Sequence, residues 1–226
     1  MIIGNGLIAR AFEPIYADDT RYILFASGVS NSQETVVDAF ERERKLLIES
    51  LAQKKHIIYF GTCSVLDPQL LDSPYVQHKL SMEMLVRGAE NHTIFRLPQV
   101  VGRTANPHTL TNFFFEKIRS RSPFKVWQYA RRHLIDIDDV VRIAHTLLNR
   151  HHASESIFNI ATPFTITIPE LVRIFEDLLD IPAQCEIVDA GASYDIDASL
   201  AIAAATQVGI TFEQTYVKNL IKKYYV

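Results

Sequence analysis

Short apolar segments of strand length alternate with amphipathic helical segments through the first part of the chain. Residues 22–26, 56–60 and 93–97 are apolar runs of strand length, and residues 33–55 and 75–89 between them have apolar side chains at helical spacing. This alternation is typical of a parallel sheet with helices on both faces. The sequence therefore predicts an α/β fold.

Composition excludes several classes of function but does not identify the function. The 226 residues are 48% hydrophobic, enough for one large α/β domain or a core with a small cap. A formal net charge of -3 gives no electrostatic footprint for nucleic acid. Two cysteines, Cys63 and Cys185, make neither a disulfide framework nor a metal site. With no membrane-length apolar run and no signal peptide, we expect a cytoplasmic protein without a membrane partner.

A glycine motif stands at the start of the chain. Gly4-x-Gly6-x-x-Ala9 follows a minimal strand, Ile2-Ile3, and opens a short helix. Glycines here permit a tight turn and close approach of the backbone to a phosphate, and the small third residue lets helix and strand pack closely. The helix N-terminus then presents free N–H groups to the anion. A tight turn without a ligand remains the alternative.

A tyrosine and a lysine lie four residues apart near the start of a later helix. Tyr75 and Lys79 therefore share one helix face. A nearby ammonium stabilises a tyrosinate, so the phenol could exchange a proton with a substrate hydroxyl or carbonyl. Thr62 ends the preceding strand, at the sheet edge where open α/β sheets bind ligands. Taken alone, the Tyr/Lys spacing is equally that of a solvated helix pair.

The remaining polar positions are interpreted more plainly. Residues 41–45 of the long helix are assigned to its charged, exposed face, and His78 to the surface. Cys63 is assigned a structural role because nothing in the sequence marks a stabilised thiolate.

Several motifs together resemble one family. The segments that carry the resemblance are residues 4–9, 25–28, 60–65, 95–102, 132–140 and 158–160. They are similar to those of the extended short-chain dehydrogenase/reductases, the NAD-dependent epimerase/dehydratase family. The resemblance implies a Rossmann-type parallel sheet and a small C-terminal substrate cap. It places the core in residues 1–102, with 133–160 returning to it, and the cap in 103–132 and 161–226.

The resemblance also implies roles for individual residues. The catalytic residues would be Thr62, Tyr75 and Lys79. The cofactor, NAD or NADP, would be bound by Gly4, Asn5, Gly6, Leu7, Ile8, Ala26, Ser27, Gly28, Tyr75, Lys79, Leu97, Pro98 and Val100. A small-molecule substrate, such as a nucleotide sugar of polysaccharide biosynthesis, would meet Ser64, Gln99, Asn106, Asn112 and Arg132. No metal is implied. A homodimer would use the helices at 33–55 and at Tyr75.

The chain departs from the family near its start. The family places two further strands before the one at residues 22–26, yet only about twenty residues separate Gly6 from Phe25. That strand could be the ordinary second one. We favour a deletion of the second and third strands, which puts the first strand near a sheet edge and leaves the adenine pocket without a wall. The acidic residue that normally binds the adenosine ribose has no counterpart near Ala26 or Ser27.

Three functions therefore remain open. The chain could be an NAD(P)-dependent sugar or nucleotide-sugar epimerase, dehydratase or reductase. It could instead be a non-catalytic or regulatory nucleotide-binding module with a degraded cofactor site, or a catalyst that holds a sugar phosphate at the glycine loop. Arg10 or Arg42 could meet a 2′-phosphate, although a surface position is the plainer interpretation.

Overall fold

The computed structural model describes residues 1–150 and 156–226. His151 and His152, adjacent histidines that we do not expect to share a metal, lie outside the described residues. The strands are β1 (Ile2–Ile3), β2 (Tyr22–Phe25), β3 (His56–Thr62), β4 (His92–Leu97), β5 (Gln99–Val101), β6 (Phe124–Trp127), β7 (Arg131–Arg132), β8 (Leu134–Asp136), β9 (Ser156–Asn159), β10 (Ile166–Thr167) and β11 (Cys185–Val188). The helices are α1 (Leu7–Tyr16), α2 (Val37–Leu51), α3 (Pro74–Arg87), α4 (Leu110–Arg119), α5 (Ile137–Arg150), α6 (Ile168–Leu179), α7 (Ser199–Gln207) and α8 (Tyr216–Tyr225).

The main sheet has the order β1-β2-β3-β4-β9 and all its strands run parallel. In the Rossmann order 3-2-1-4-5-6, the fourth strand lies between the first and the fifth. Strand β2 has that position here, between β1 and β3. The predicted parallel sheet without the usual second and third strands is confirmed. Strand β1 is consequently an edge of the sheet among the described residues.

Alternate side chains of the strands bury on opposite faces of this sheet. Leu24 and Ile58 join a core with α1, α5 and α7, while Ile23 and Ile57 pack against α2 and α3. Each fully buried side chain of this kind contributes about 1.5–3 kcal/mol. The resulting three layers leave the carboxyl ends of the strands open at one edge.

The region predicted as the cap contains α4, α6, α8 and short strand pairs. Strand β6 pairs parallel with β11, and β7 pairs antiparallel with β10. Phe114, Val126 and Phe175 lie at the centre of its own apolar core. Helix α7 differs from our assignment of residues 161–226 to the cap, because its buried alanines pack on α5 in the main core. The rest of the domain division stays a prediction.

Helix α2 is shorter than the predicted 33–55. Side chains of Asn31 and Glu34 accept hydrogen bonds from the backbone just ahead of the helix, which holds residues 31–36 in turns. At the other end, Lys54 has a positive φ of 53° that cannot continue a helix. No helix within the described parts of the chain is both long and apolar enough to cross a membrane.

Candidate active site

A cleft of about 510 Å³ opens at the carboxyl ends of β1 to β4. The loops that follow these strands form its floor, and α3 forms one wall. The predicted site residues that line it are Asn5, Gly6, Leu7, Ile8, Ala26, Ser27, Gly28, Thr62, Ser64, Tyr75, Lys79, Leu97, Pro98, Gln99, Val100 and Asn106. The topology thus brings together residues that are far apart in the sequence.

The two glycines of the opening motif have different surroundings. Gly4 has a φ of +127°, and an added Cβ would lie 2.4 Å from the carbonyl oxygen of Ala26. It is therefore required by the close approach of β1 and β2. Gly6 is the N-cap of α1, makes no side-chain cap and has nothing within 4 Å of an added Cβ. The helix N-terminus is thus open to the cleft, which fits a phosphate or pyrophosphate group.

Tyr75 and Lys79 lie together in the cleft wall. Ser73 caps α3 by accepting a hydrogen bond from the Val76 N–H at 3.2 Å, and Pro74 occupies the first turn, so the helix begins immediately before Tyr75. The two residues are 8% and 3% exposed, and the Lys79 Nζ lies 6.0 Å from the centre of the Tyr75 ring. The predicted arrangement on one helix face is present.

Thr62 is the last residue of β3, Ser64 follows it in a 3-10 turn, and both line the cleft together with Tyr75. The Thr62 hydroxyl oxygen accepts a hydrogen bond from the Ser64 N–H at 3.2 Å, which leaves the hydroxyl proton to be donated elsewhere. Tyr194, from the segment before α7, comes close to Ser64. Burial raises the pKa of Tyr194 to about 12, although a hydrogen bond with Ser64 lowers it in part. The sequence analysis missed this tyrosine because it lies in an irregular segment far along the chain.

A carboxylate that the sequence analysis placed on the surface lies buried behind this wall. Glu43 of α2 has no exposed surface. Its Oε2 accepts hydrogen bonds from the Val29 N–H at 2.6 Å and from His78 Nε2 at 2.9 Å. Its Oε1 accepts from Tyr59 Oη at 2.8 Å and from Lys79 Nζ at 2.9 Å. The Lys79 ammonium also donates to Tyr59 Oη at 3.3 Å.

The electrostatics of this network favour charged Glu43. Burial alone would raise the pKa of its carboxyl, but the Lys79 charge and the hydrogen bonds from His78, Val29 and Lys79 outweigh it and hold the pKa at about 2. Burial, followed by the Glu43 charge, raises the pKa of Tyr59 well above its ordinary value. Both groups are therefore fixed in single protonation states near neutral pH.

The surface assignments of Glu43 and His78 are wrong. A signal for Glu43 is present in the sequence, because it lies three residues after Phe40 and four before Leu47, on the apolar stripe of α2. For His78, the buried face of α3 is wider than one stripe and includes both His78 and Lys79. An acidic residue on an apolar stripe indicates a buried partner from another element.

A second buried ion pair lies one helical turn further along α3. Glu83 binds Arg96 of β4 through contacts of 2.6 and 3.0 Å. An added Cβ at Gly61 would lie 2.8 Å from Glu83 Oε1. Cys63 donates its thiol to the Arg96 carbonyl, and burial raises its pKa to about 12. The thiol is therefore protonated near neutral pH.

Some predicted residues lie outside the described lining of the cleft. Asn112 donates to the carbonyls of Thr104 and Asn106 and accepts from Tyr225 Oη, so it supports the loop instead of facing the cleft. Arg132 lies in β7, where its guanidinium donates to the adjacent backbone carbonyl. Gly4 also lies outside the described lining of the cleft. The positions of these three residues therefore do not support the binding roles predicted for them.

Other residues line the cleft besides those to which the resemblance assigns a catalytic or binding role. They are Val29, Ser30, Ser32, Arg42, Phe60, Gly61, Thr104, His108 and Thr109. Asn106 Nδ2 donates to Ser30 Oγ at 3.2 Å, which joins the loop after β5 to the loop after β2 across the cleft mouth. Of the two arginines considered for a 2′-phosphate, Arg42 is the one found among the described lining residues.

Comparison with solved structures shows the same fold. UDP-glucuronic acid 4-epimerase from Bacillus cereus, in complex with UDP-glucuronic acid and NAD, is 17% identical with a TM-score of 0.72, over 98% of this chain and 77% of that one. dTDP-glucose 4,6-dehydratase from Bacillus anthracis, in complex with NAD, is 15% identical with a TM-score of 0.68, over 96% and 77%. TunA, an NAD-dependent NDP-hexosamine 5,6-dehydratase of tunicamycin biosynthesis, is 19% identical with a TM-score of 0.70, over 90% and 75%.

Sequence comparison gives the family. No curated protein sequence matches the chain. The model of the NAD dependent epimerase/dehydratase family matches residues 27–161, which is more than half of the chain. That match spans the loop after β2, the Tyr75/Lys79 helix and the return of the chain through β9. The chain belongs to the NAD dependent epimerase/dehydratase family.

Proposed function

We propose that this protein binds NAD or NADP and catalyses epimerisation, dehydration or reduction of a sugar or nucleotide sugar. The observation that carries the proposal is the convergence of Thr62, Tyr75 and Lys79 with the open N-terminus of α1 in one cleft. Neighbours in fold are solved with NAD and with UDP-glucuronic acid, which supports this ligand class. A cytoplasmic location and a role in polysaccharide biosynthesis stay predictions from the sequence.

The glycine loop would hold the phosphates of the cofactor. The free N–H groups at the start of α1 face the open space over Gly6, and no side chain of the described residues caps them. Leu97, Pro98 and Val100 would bound the nicotinamide end. When bound, the nicotinamide supplies a hydride acceptor or donor.

Tyr75 would move the proton. Its phenol would take a proton from a substrate hydroxyl, or return one to a carbonyl, while the Lys79 charge favours the tyrosinate. Thr62 would donate its hydroxyl proton to the same substrate oxygen and so hold it against Tyr75, since the Thr62 oxygen already accepts from the Ser64 N–H. All three side chains belong to β3 and α3, so their mutual geometry does not depend on the shortened end of the sheet.

One observation favours a second candidate, a nucleotide-binding module without catalysis. Strand β1 is the sheet edge in the described structure, so no further strand there forms a wall for an adenosine. A dinucleotide would be held chiefly by its pyrophosphate and nicotinamide halves. Retained binding without turnover of any sugar nucleotide would support this candidate over the enzyme.

Calorimetric titration of the purified protein with NAD, NADH, NADP and NADPH tests the proposal. Saturable binding of one oxidised and reduced pair at micromolar affinity, about -8 kcal/mol, is the expected result. Absence of binding by all four would contradict the proposal. A sugar phosphate that binds in their place would then favour a ligand at the glycine loop that is not a dinucleotide.

We also propose a homodimer that pairs α2 and α3 of two copies. Apolar side chains are exposed on these helices, with Val37 66%, Ile48 45% and Met84 65% accessible. If these side chains form one contiguous patch across the two helices, a partner would be expected to cover it. Light scattering during size exclusion should give twice the chain mass, and a monomeric mass at micromolar concentration would contradict the proposal.

A further inference from the structure

We infer that Glu43 is a positioning residue of the catalytic site, whose buried carboxylate holds the Lys79 ammonium and the backbone of Val29 in one fixed arrangement. The inference rests on the proposed function in that Lys79 and the Val29 loop are taken as parts of the cofactor site. It goes beyond that function because Glu43 is not among the residues that line the described cleft. Glu43 acts through Lys79 and Val29, which do line the cleft.

The carboxylate of Glu43 is saturated. An ionised carboxylate has about four lone-pair positions, and four donors occupy them here, two on each oxygen. All four donors come from other elements, namely β3, α3 and the loop after β2. A carboxylate bound in this way cannot rotate without breaking several buried hydrogen bonds, so it fixes the positions of its partners.

Two of those partners face the cleft. Lys79 and Val29 both line it, and they approach Glu43 through different oxygens. Gly28 shows how closely the loop lies against the ion pair, because an added Cβ would lie 2.5 Å from Lys79 Nζ and 3.1 Å from Glu43 Oε1. The ammonium and the loop therefore keep their relative position through a single carboxylate.

Glu43 also determines what remains of the ammonium for the site. An ammonium has three N–H donors, and Lys79 uses one on Glu43 and one on Tyr59. The third is left for a ligand in the cleft that Lys79 lines. Without that carboxylate, the ammonium of a lysine that is 3% exposed would lack the charged partner that fixes its position.

Among the described residues, titratable groups contact Glu43 from β3 and α3. Tyr59 faces Glu43 from β3, and His78 and Lys79 face it from α3. The Tyr75 ring faces Lys79, and its centre lies 6.0 Å from the Lys79 Nζ. The Glu83–Arg96 pair, one turn further along α3, is internally neutral. Replacing Glu43 by glutamine therefore removes the carboxylate that balances Lys79.

Glu43→Gln tests the inference, with Glu83→Gln as the matched control. Both remove one carboxylate charge from an ion pair that involves α3, but the hydrogen bonds of Glu83 in the described structure go to Arg96 and to neither Lys79 nor Val29. The Tyr75 phenol is titrated by its ultraviolet absorbance, as the difference between each protein and the same protein carrying Tyr75→Phe. This readout needs no substrate and no cofactor.

In Glu43→Gln we expect the Tyr75 titration midpoint to move by about one pH unit from that of the unaltered protein, because the ammonium that faces the phenol loses the carboxylate that balances it. In Glu83→Gln we expect no shift. An unchanged midpoint in Glu43→Gln overturns the inference, and so does an equal shift in both variants, which would indicate a general structural effect.

NADH fluorescence supplies the second readout. We expect the NADH dissociation constant to rise about tenfold in Glu43→Gln and to stay within about twofold in Glu83→Gln. If the unaltered protein binds no dinucleotide, the proposed function fails, and the Tyr75 titration still decides the inference.

A shorter acid replaces the glutamine variant if Glu43→Gln does not fold. Glu43→Asp keeps the negative charge but withdraws the carboxylate by one methylene from its four donors. Weaker NADH binding with an unshifted Tyr75 midpoint in this variant supports positioning by Glu43. Unaltered NADH binding contradicts it.

Discussion

The two ends of the cleft are built in opposite ways. At the Tyr75 end, α2, α3 and β3 are joined by a buried carboxylate with four donors, and a second ion pair follows one turn later. At the glycine-loop end, a strand of two residues forms the sheet edge and the space over Gly6 is open. One end is fixed by buried charge, and the other presents the backbone N–H groups of a helix N-terminus to open space.

This difference shows which end of the cleft requires side chains held in fixed positions. Burying charges costs free energy that hydrogen bonds must offset, and the carboxylate of Glu43, which has no exposed surface, accepts four of them. Phosphate recognition at a helix N-terminus uses backbone N–H groups, which the helix itself positions. A chain can therefore lose strands beside its glycine loop and keep that loop, whereas the Tyr75 end depends on every neighbouring element.

The largest effect is expected from removing the proposed acid/base group at the Tyr75 end of the cleft. Tyr75→Phe removes the proposed acid/base group and should lower turnover of the accepted sugar nucleotide about 10²–10⁴-fold. The measurement is the rate at saturating substrate, with Tyr129→Phe, an exposed tyrosine of the cap, as the control. Unchanged turnover in Tyr75→Phe would falsify the mechanism.

The second largest effect is expected from acid, which should reduce the folding stability that the Tyr75 end contributes. The pKa of Glu43 is lower in the folded protein, about 2 against an ordinary 4.5, so its stabilisation is complete above about pH 5 and is lost as the pH falls toward 2. That contribution is about 3 kcal/mol. Denaturant unfolding over this pH range should show a steeper loss of stability in the unaltered protein than in Glu43→Gln. Parallel pH profiles would contradict the assignment.

Two glycine substitutions contrast the ends directly. Gly28→Ala forces a Cβ against Lys79 Nζ and should lower the free energy of unfolding by about 1–3 kcal/mol. Gly6→Ala meets no neighbour, so the change in that free energy should stay below about 1 kcal/mol, while NADH affinity falls about tenfold. Denaturant unfolding and NADH titration check both variants. The comparison fails if Gly6→Ala is the more destabilising.

The smallest effect is expected from an ion pair near the edge strand. Asp19 binds Arg21 at 2.7 Å, but the Arg21 side chain is 69% exposed. Solvent screens such a pair, so Asp19→Asn should change the midpoint of thermal unfolding by little more than the experimental error. A loss comparable to that of Gly28→Ala would show that the edge is more firmly held than the contrast implies.

The sequence predicted the sheet and the cleft better than what lies behind them. Alternating segments gave the order of elements, and the shortening between Gly6 and Phe25 correctly predicted β1 at the edge. Local patterns carry this information because each strand and helix shows its own periodicity. The strands β5, β7 and β10 were missed, since two or three residues leave no periodic pattern and each pairs with a distant segment.

Glu43 could not be placed by the same means. Its neighbours along the chain are arginines, so residues 41–45 have the composition of a solvated face. Its partners Val29, Tyr59 and His78 lie 14 to 35 residues away, and only the folded sheet brings them together. A buried polar network forms only in the folded protein. The one local signal of it in the sequence is the position of Glu43 on an apolar stripe.

Gly4 and Gly6 carry different evolutionary information. Gly4 must remain glycine in any descendant that keeps β1 beside β2, whether or not that descendant binds a nucleotide. Gly6 is free of that constraint, so selection for a ligand is what would preserve it. Among shortened relatives of this chain, drift at the second glycine with the first retained would mark the lineages in which the cofactor has been lost.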